Sequence, residues 1–182
     1  MKIFFALLAF AAVLLAGCVT QYRVVVDFSP TLREHFGEFP TIEVDIAAVT
    51  ESEANEVREM GVETYFAPGG GIRERLQVQT CFFYREQQYS FMLPSRAPVW
   101  WAWRLRNPDY ILVIASLPPA PSMTARDDPR LLTVRMVRSF VFARTINILV
   151  EPQRITQVAR ESRASRTRGE RSPAVEQWVE TR

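Results

Sequence analysis

Cys18 is the residue whose position points most directly to a chemical reaction. It follows the small pair Ala16-Gly17, at the end of an apolar run from residue 3 to residue 16. One positive charge precedes the run, which is typical of a secretory signal peptide. The run is shorter than the roughly 20 apolar residues that span a bilayer. We therefore expect residues 1–17 to direct export and then to be removed.

The stretch Leu14–Cys18 (LLAGC) resembles the bacterial lipobox, L-[AS]-[GA]-C. In proteins with that motif a lipid is attached to the cysteine thiol, the peptide is cut before it, and the new amine is acylated. Several acyl chains anchor firmly, since each buried CH₂ contributes about 0.8 kcal/mol. Val19 follows Cys18, which by analogy with Gram-negative sorting indicates the periplasmic face of the outer membrane. An ordinary signal peptide with an unrelated cysteine is the alternative.

Two further residues are candidates for nucleophilic or metal chemistry. His35 is the only histidine, so a Ser-His-Asp or Cys-His site would have to use it. Cys81 lies in the apolar stretch TCFFY, which predicts a buried, inert thiol. One histidine and one free cysteine also make a zinc site improbable. We expect no catalytic residue, no metal and no cofactor.

Glycine-rich and acidic motifs do not match a catalytic pattern either. Pro68–Gly71 lacks the Lys-Ser/Thr of a phosphate-binding loop and predicts a turn. The acidic pairs Glu51/Glu53 and Asp127/Asp128 fall at a predicted helix start and in a predicted loop. The sequence therefore predicts a protein that is not an enzyme.

Length and charge limit the range of partners. Removal of the signal peptide leaves 165 of the 182 residues, enough for one domain with its own core. Lys2 is the only lysine, which leaves 21 arginines against 20 carboxylates. This near neutrality gives no reason to expect a nucleic-acid partner.

Short strands are the elements that would position these residues. Tyr22–Phe28 is β-branched, and Thr41–Val49 alternates apolar and polar residues as a half-buried strand does. Residues 29–40 between them read as a loop with proline at each edge. Further strands are predicted over residues 62–66, 76–84, 89–93 (the hairpin partner of 76–84), 99–105, 110–117, 132–150 and 155–158.

One helix is predicted from the residues that would cap its start and its end. Thr50 and Glu53 form a capping box for residues 51–60, and Gly61 suits the position that ends them. Tyr110–Leu117 is apolar on both faces, which predicts a central strand of the core.

The tryptophan-rich stretch Val99–Leu105 reads as a strand. In that reading Trp101 and Trp103 face the core, and Trp100 points the other way. We expect Trp100 to be packed, with an exposed side chain that anchors a partner or lies at a lipid interface as the alternative.

These elements together predict a mainly β protein, a two-sheet β-sandwich with one short helix. The domain is expected over residues 18–158, after the signal peptide at 1–17. Residues 159–182 carry many arginines and few apolar residues, which predicts a disordered tail.

Beyond the lipobox, the chain resembles the outer-membrane lipoprotein of type VI secretion systems, the TssJ (VasD/SciN) family. The similar stretches are YRVVVDFSP, FPTIEVDIAAV, the short acidic helix ESEANEVREM and NPDYILVIASLP, within residues 18–117. The long loop at 118–129 and the arginine-rich tail depart from the family pattern.

The resemblance implies a transthyretin-like sandwich that holds the secretion system's membrane complex at the outer membrane. In the family this is done by binding the periplasmic domain of TssM, an inner-membrane protein, partly through the loop between the first two strands. The matching segment is 29–40, whose prominent side chains are Arg33, Glu34, His35 and Phe36.

Two other functions stay open from the sequence. A lipid-anchored periplasmic enzyme would need a pair of carboxylates facing a cleft. A lipoprotein that carries an apolar ligand would need a large apolar pocket, and the chain could equally serve another envelope assembly.

Overall fold

The computed structural model describes residues 21–38, 40–69, 71–84, 89–119, 127–137 and 144–159. The predicted signal peptide, Cys18, residues 138–143 of the predicted strand at 132–150 and the tail from residue 160 lie outside these ranges. No helix within the ranges is long and apolar enough to cross a membrane.

The described residues form eight strands and five helices. The strands are β1 (Tyr22–Phe28), β2 (Ile42–Val49), β3 (Gln79–Phe83), β4 (Ser90–Leu93), β5 (Tyr110–Ala115), β6 (Leu131–Arg135), β7 (Arg144–Glu151) and β8 (Arg154–Val158). The helices are α1 (Thr31–Phe36), α2 (Glu51–Met60), α3 (Val62–Phe66), α4 (Ile72–Leu76) and α5 (Val99–Arg104).

The strands make two four-stranded sheets, in the orders β4-β1-β7-β8 and β3-β2-β5-β6. Neighbouring strands are antiparallel except β1 and β7, which are parallel. The sheets pack face to face, and the ring of Phe28 on β1 stacks on that of Phe83 on β3. The predicted two-sheet β-sandwich is confirmed, with more helix than the single one expected.

The strand β5 is central, as its apolar sequence predicts. It lies between β2 and β6, and Ile111 to Ala115 are all buried. The strand β2 is not half-buried as predicted, because both of its faces are covered. Its inner face meets the other sheet, while Asp45 on its outer face lies under side chains from α3 and α4.

The predicted capping box of α2 is confirmed. The Thr50 hydroxyl accepts a hydrogen bond from the Glu53 N–H at 3.3 Å, and the Glu53 carboxylate accepts one from the Thr50 N–H at 2.8 Å. Gly61 ends the helix with φ of +78°, a conformation that favours glycine.

The prediction of strand for residues 62–66 is wrong, because this segment is the helix α3. Val62 and Tyr65 are buried, three residues apart, as on one face of a helix. The strand predicted from residue 76 begins later, at Gln79, because residues 72–76 form α4 and Leu76 is buried from that helix.

The predicted hairpin between β3 and β4 is also wrong. The strand β4 crosses to the other sheet and pairs with β1, with Val24 opposite Leu93. As a result, β3 and β4 are edge strands of different sheets, and both lie on the same side of the sandwich.

The tryptophan-rich stretch is the helix α5, not a strand. Helical spacing places Trp100 and Trp103 together in the core, with ring centroids 5.0 Å apart, and turns Trp101 to solvent. The expected packing of Trp100 is confirmed, whereas its outward direction on a strand is wrong, and Trp101 is the exposed residue.

The sandwich has two distinct ends. The proximal end holds the start of β1 at Tyr22 and α5, since the Tyr22 ring stacks on that of Trp100. The distal end holds the end of β1 at Phe28 and the start of β2 at Ile42, which pairs with Phe83. The seven residues of β1 separate the two ends by about 20 Å.

Candidate functional site

Residues 29–38 lie at the distal end and contain α1, so the prediction of a plain loop over 29–40 is wrong. Leu32 is fully buried and fixes the helix to the sandwich. Gly37 closes the helix with φ of +77°, and its N–H donates to the Arg33 carbonyl at 2.9 Å. Pro30, read as a loop boundary, has helical dihedral angles and starts the helix.

The four predicted partner-binding side chains of α1 differ in their exposure to solvent. Arg33, Glu34 and His35 are exposed, whereas Phe36 is half-buried. The His35 and Phe36 rings meet edge to face, with centroids 4.8 Å apart. The structure thus presents a cation, an anion and an imidazole on a short, anchored helix.

Exposed aromatic side chains lie at the same distal end and were missed from the sequence. Phe82, Tyr84 and Tyr89 flank the crossing from β3 to β4, and each is about half exposed. The Tyr89 carbonyl accepts from the Phe28 N–H at 2.9 Å, which places it beside the end of β1. Tyrosine is a frequent anchor of protein interfaces, and Phe82 adds exposed apolar area beside Tyr84 and Tyr89. The sequence analysis did not mark Phe82 as outward; on β3 it lies between the buried Cys81 and Phe83.

Cys81 is buried on β3, as its apolar surroundings predict. Its thiol donates to the Val44 carbonyl at 3.3 Å, and burial raises its pKa to about 12. His35 lies on the outside of α1, so the two residues do not share a site. Among the described residues no group of three His, Cys, Asp or Glu is placed to hold a metal ion.

Asp45 is the most deeply buried carboxylate of the described chain. It accepts hydrogen bonds from the Tyr65 hydroxyl at 3.0 Å, the Arg73 Nε at 2.7 Å and the Thr80 hydroxyl at 2.5 Å. Glu43 is a second partner of Arg73. Burial and the Asp45 charge raise the pKa of Tyr65. This network joins α3 and α4 to β2 and β3.

An open groove of about 610 Å³ lies beside this network. Its lining mixes the charged side chains of Arg73 and Glu74 with Phe66 and Val78. The Arg73 guanidinium lies 5.2 Å from the centre of the Phe66 ring. A carrier of apolar ligands needs an enclosed, mostly apolar pocket, and this groove does not have that character.

Neither a protein-family model nor a curated protein matches the sequence. Among solved structures the chain is similar to Lip of Serratia marcescens, a membrane-bound component of the type VI secretion system. The identity is 10%, the TM-score 0.50, and the match covers 79% of this chain and 99% of Lip. It is also similar to the lipoprotein TssJ1 of Pseudomonas aeruginosa, with 9% identity, a TM-score of 0.44, and coverage of 79% and 98%.

The likeness to Lip extends over nearly all of that chain, so the two proteins share a fold. The resemblance to the TssJ family is thereby confirmed at the level of the fold. The distal end combines the exposed charged side chains of α1 with the exposed aromatic side chains of Phe82, Tyr84 and Tyr89.

Proposed function

We propose that this protein is a lipid-anchored component of a type VI secretion system. It is acylated at Cys18, lies on the periplasmic face of the outer membrane, and binds the periplasmic domain of a TssM-like inner-membrane protein. The fold shared with Lip supports this role. In this proposal residues 1–17 are the signal peptide and 18–158 the working domain.

The main support for this proposal is that the start of β1, which follows Cys18, and the helix α1 lie at opposite ends of the sandwich. The strand β1 begins four residues after Cys18, at the proximal end. Its other end leads directly into α1, about 20 Å away. A protein held to a membrane near Tyr22 therefore presents α1 toward the periplasm, where an inner-membrane partner can reach it.

The chemistry of α1 fits a protein contact. Arg33, Glu34 and His35 offer charge-assisted hydrogen bonds at the rim of an interface, which set specificity and association rate. Phe82, Tyr84 and Tyr89 at the same end supply apolar area for its centre. Buried Leu32 holds the helix in place before binding, which lowers the ordering cost.

Copurification from native membranes tests this assignment. The acylated protein should retain a large inner-membrane protein with a periplasmic domain. Simultaneous change of Arg33, Glu34 and His35 to alanine should abolish that recovery while the thermal unfolding midpoint stays unchanged, because all three side chains are exposed.

The matched control changes three exposed residues of α2, Ser52, Asn55 and Glu59, to alanine. This variant should recover the partner as the unmodified protein does. Equal recovery by both triple variants would refute the role of α1, and recovery of no envelope protein by the unmodified chain would refute the tether.

A further inference from the structure

The two most exposed large apolar side chains of the described residues lie on α5 and directly after it. Trp101 is 68% exposed and Leu105, which follows the helix, is 70% exposed. They are four residues apart, and Leu105 keeps helical dihedral angles, so both lie on one face. Two such exposed apolar side chains on one face indicate a contact outside the domain.

The opposite face of α5 is held rigidly. The indole N–H of Trp100 donates to the Pro94 carbonyl at 2.9 Å, and that of Trp103 donates to the Gln77 carbonyl at 3.0 Å. Both rings are buried. Because these contacts fix the rotation of the helix, Trp101 cannot turn inward without breaking them.

The exposed pair lies at the proximal end, close to the proposed lipid anchor. Tyr22 stacks on Trp100, with ring centroids 6.1 Å apart. Only four residue steps separate Tyr22 from Cys18, which span at most about 14 Å when fully extended. The acyl chains on Cys18 therefore cannot place the membrane far from α5.

The charges around the pair fit a phospholipid surface. The sequence from Pro94 to Pro108 contains three arginines and no acidic residue. Arg96 and Arg104 are exposed, and neither forms an ion pair with another part of the chain that the structure describes. Guanidinium groups bind phosphate oxygens well, and tryptophan is enriched at the level of the head groups.

We propose that Trp101 and Leu105 insert into the phospholipid surface beside the acylated cysteine, with Arg96 and Arg104 on the lipid phosphates. This second contact fixes the orientation of the sandwich, so that the distal end points away from the membrane. It rests on the proposed acylation of Cys18 but not on the proposed protein partner.

Spin-label accessibility in vesicles tests the contact. The full-length acylated protein carrying Leu105→Cys is labelled with a nitroxide and reconstituted in phosphatidylethanolamine and phosphatidylglycerol vesicles. Cys18 is blocked by lipid and Cys81 is buried, so the label goes to residue 105. The matched control is Phe82→Cys, an exposed apolar position at the distal end.

We expect the label at residue 105 to lie about 5–10 Å below the head-group boundary, accessible to oxygen and shielded from a nickel chelate. The label at residue 82 should be fully accessible to the chelate. In a second measurement, brominated phospholipid should quench tryptophan emission of the unmodified protein, and Trp101→Phe should remove most of that quenching.

The contrary results separate the two proposals. An acylated, vesicle-bound protein with both labels in water, or both in lipid, overturns the α5 contact and leaves the anchor standing. A protein that mass spectrometry finds unacylated at Cys18 overturns both the anchor and the contact.

Discussion

Replacement of Asp45 tests the physical account of how the helices are held on the sheet. The carboxylate is 1% exposed and accepts hydrogen bonds from Tyr65, Thr80 and Arg73. Asp45→Ala leaves the Tyr65 hydroxyl without this acceptor in the interior, which costs about 1–3 kcal/mol. It also breaks a buried ion pair, which costs about 3–5 kcal/mol when one partner is removed.

The two costs overlap, because they belong to one network. The Arg73 side chain is 27% exposed and keeps Glu43 as a partner, so solvent reduces the ionic part. We expect Asp45→Ala to lower the free energy of unfolding by about 3–4 kcal/mol. At about 2–4 °C per kcal/mol, this lowers the thermal midpoint by roughly 10 °C.

Thermal unfolding followed by circular dichroism measures this change. Asp45→Asn should cost less than Asp45→Ala, because the amide oxygen still accepts a hydrogen bond. Glu59→Ala, which removes an exposed carboxylate from α2, should change stability by less than about 0.5 kcal/mol. A midpoint for Asp45→Ala equal to that of Glu59→Ala would refute the role given to this network.

Three further tests have distinct expected outcomes. Trp103→Ala should cost about 3–5 kcal/mol because the ring is fully buried, whereas Trp101→Ala should cost under about 1 kcal/mol; equal losses would contradict the helical assignment of α5. Thr50→Ala should cost about 1 kcal/mol through loss of the α2 cap, seen as a lower urea midpoint with an unchanged slope. Cys81 should resist maleimide at pH 8 until urea unfolds the chain, because burial raises its thiol pKa to about 12; rapid labelling of the folded protein would contradict this. The raised pKa stabilises the fold fully below the ordinary value of 9.0, and this contribution is lost as the pH rises toward 12.

Features set by local hydrogen bonds or continuous apolarity were predictable from the sequence. The capping box of α2 needs only Thr50 and Glu53 at the right spacing, and the structure forms it. The apolar run at β5 predicts a strand buried on both faces, which is what its central place provides. The β-sandwich followed from the number and spacing of such strands.

Short helices were not predicted because a run of five or six residues can fit both the two-residue period of a strand and the 3.6-residue period of a helix. Trp101 and Trp103 satisfy a strand alternation, while Trp100 and Trp103 satisfy a helical one. Aromatic residues favour strands on average, so propensity pointed the wrong way, and packing against Tyr22 decided the outcome.

Long-range pairing was beyond any local pattern. The choice of β1 rather than β3 as the partner of β4 depends on a crossing between sheets that neighbouring residues do not encode. The distal-end aromatics were missed for the same reason, since Phe82 and Tyr89 come to the same end of the sandwich as α1 only through this topology. The family resemblance indicated segment 29–40 as a candidate for partner binding, but only the structure shows the helix within it.

Photo-crosslinking in the native cell envelope tests the central claim most directly. A photoreactive amino acid replaces His35 at the distal end or, as a control, Thr64, which is exposed on α3. The account predicts that the probe at residue 35 captures the periplasmic domain of a large inner-membrane protein and that the probe at residue 64 does not. Capture of that protein from residue 64 alone, or of no protein from residue 35, would contradict it.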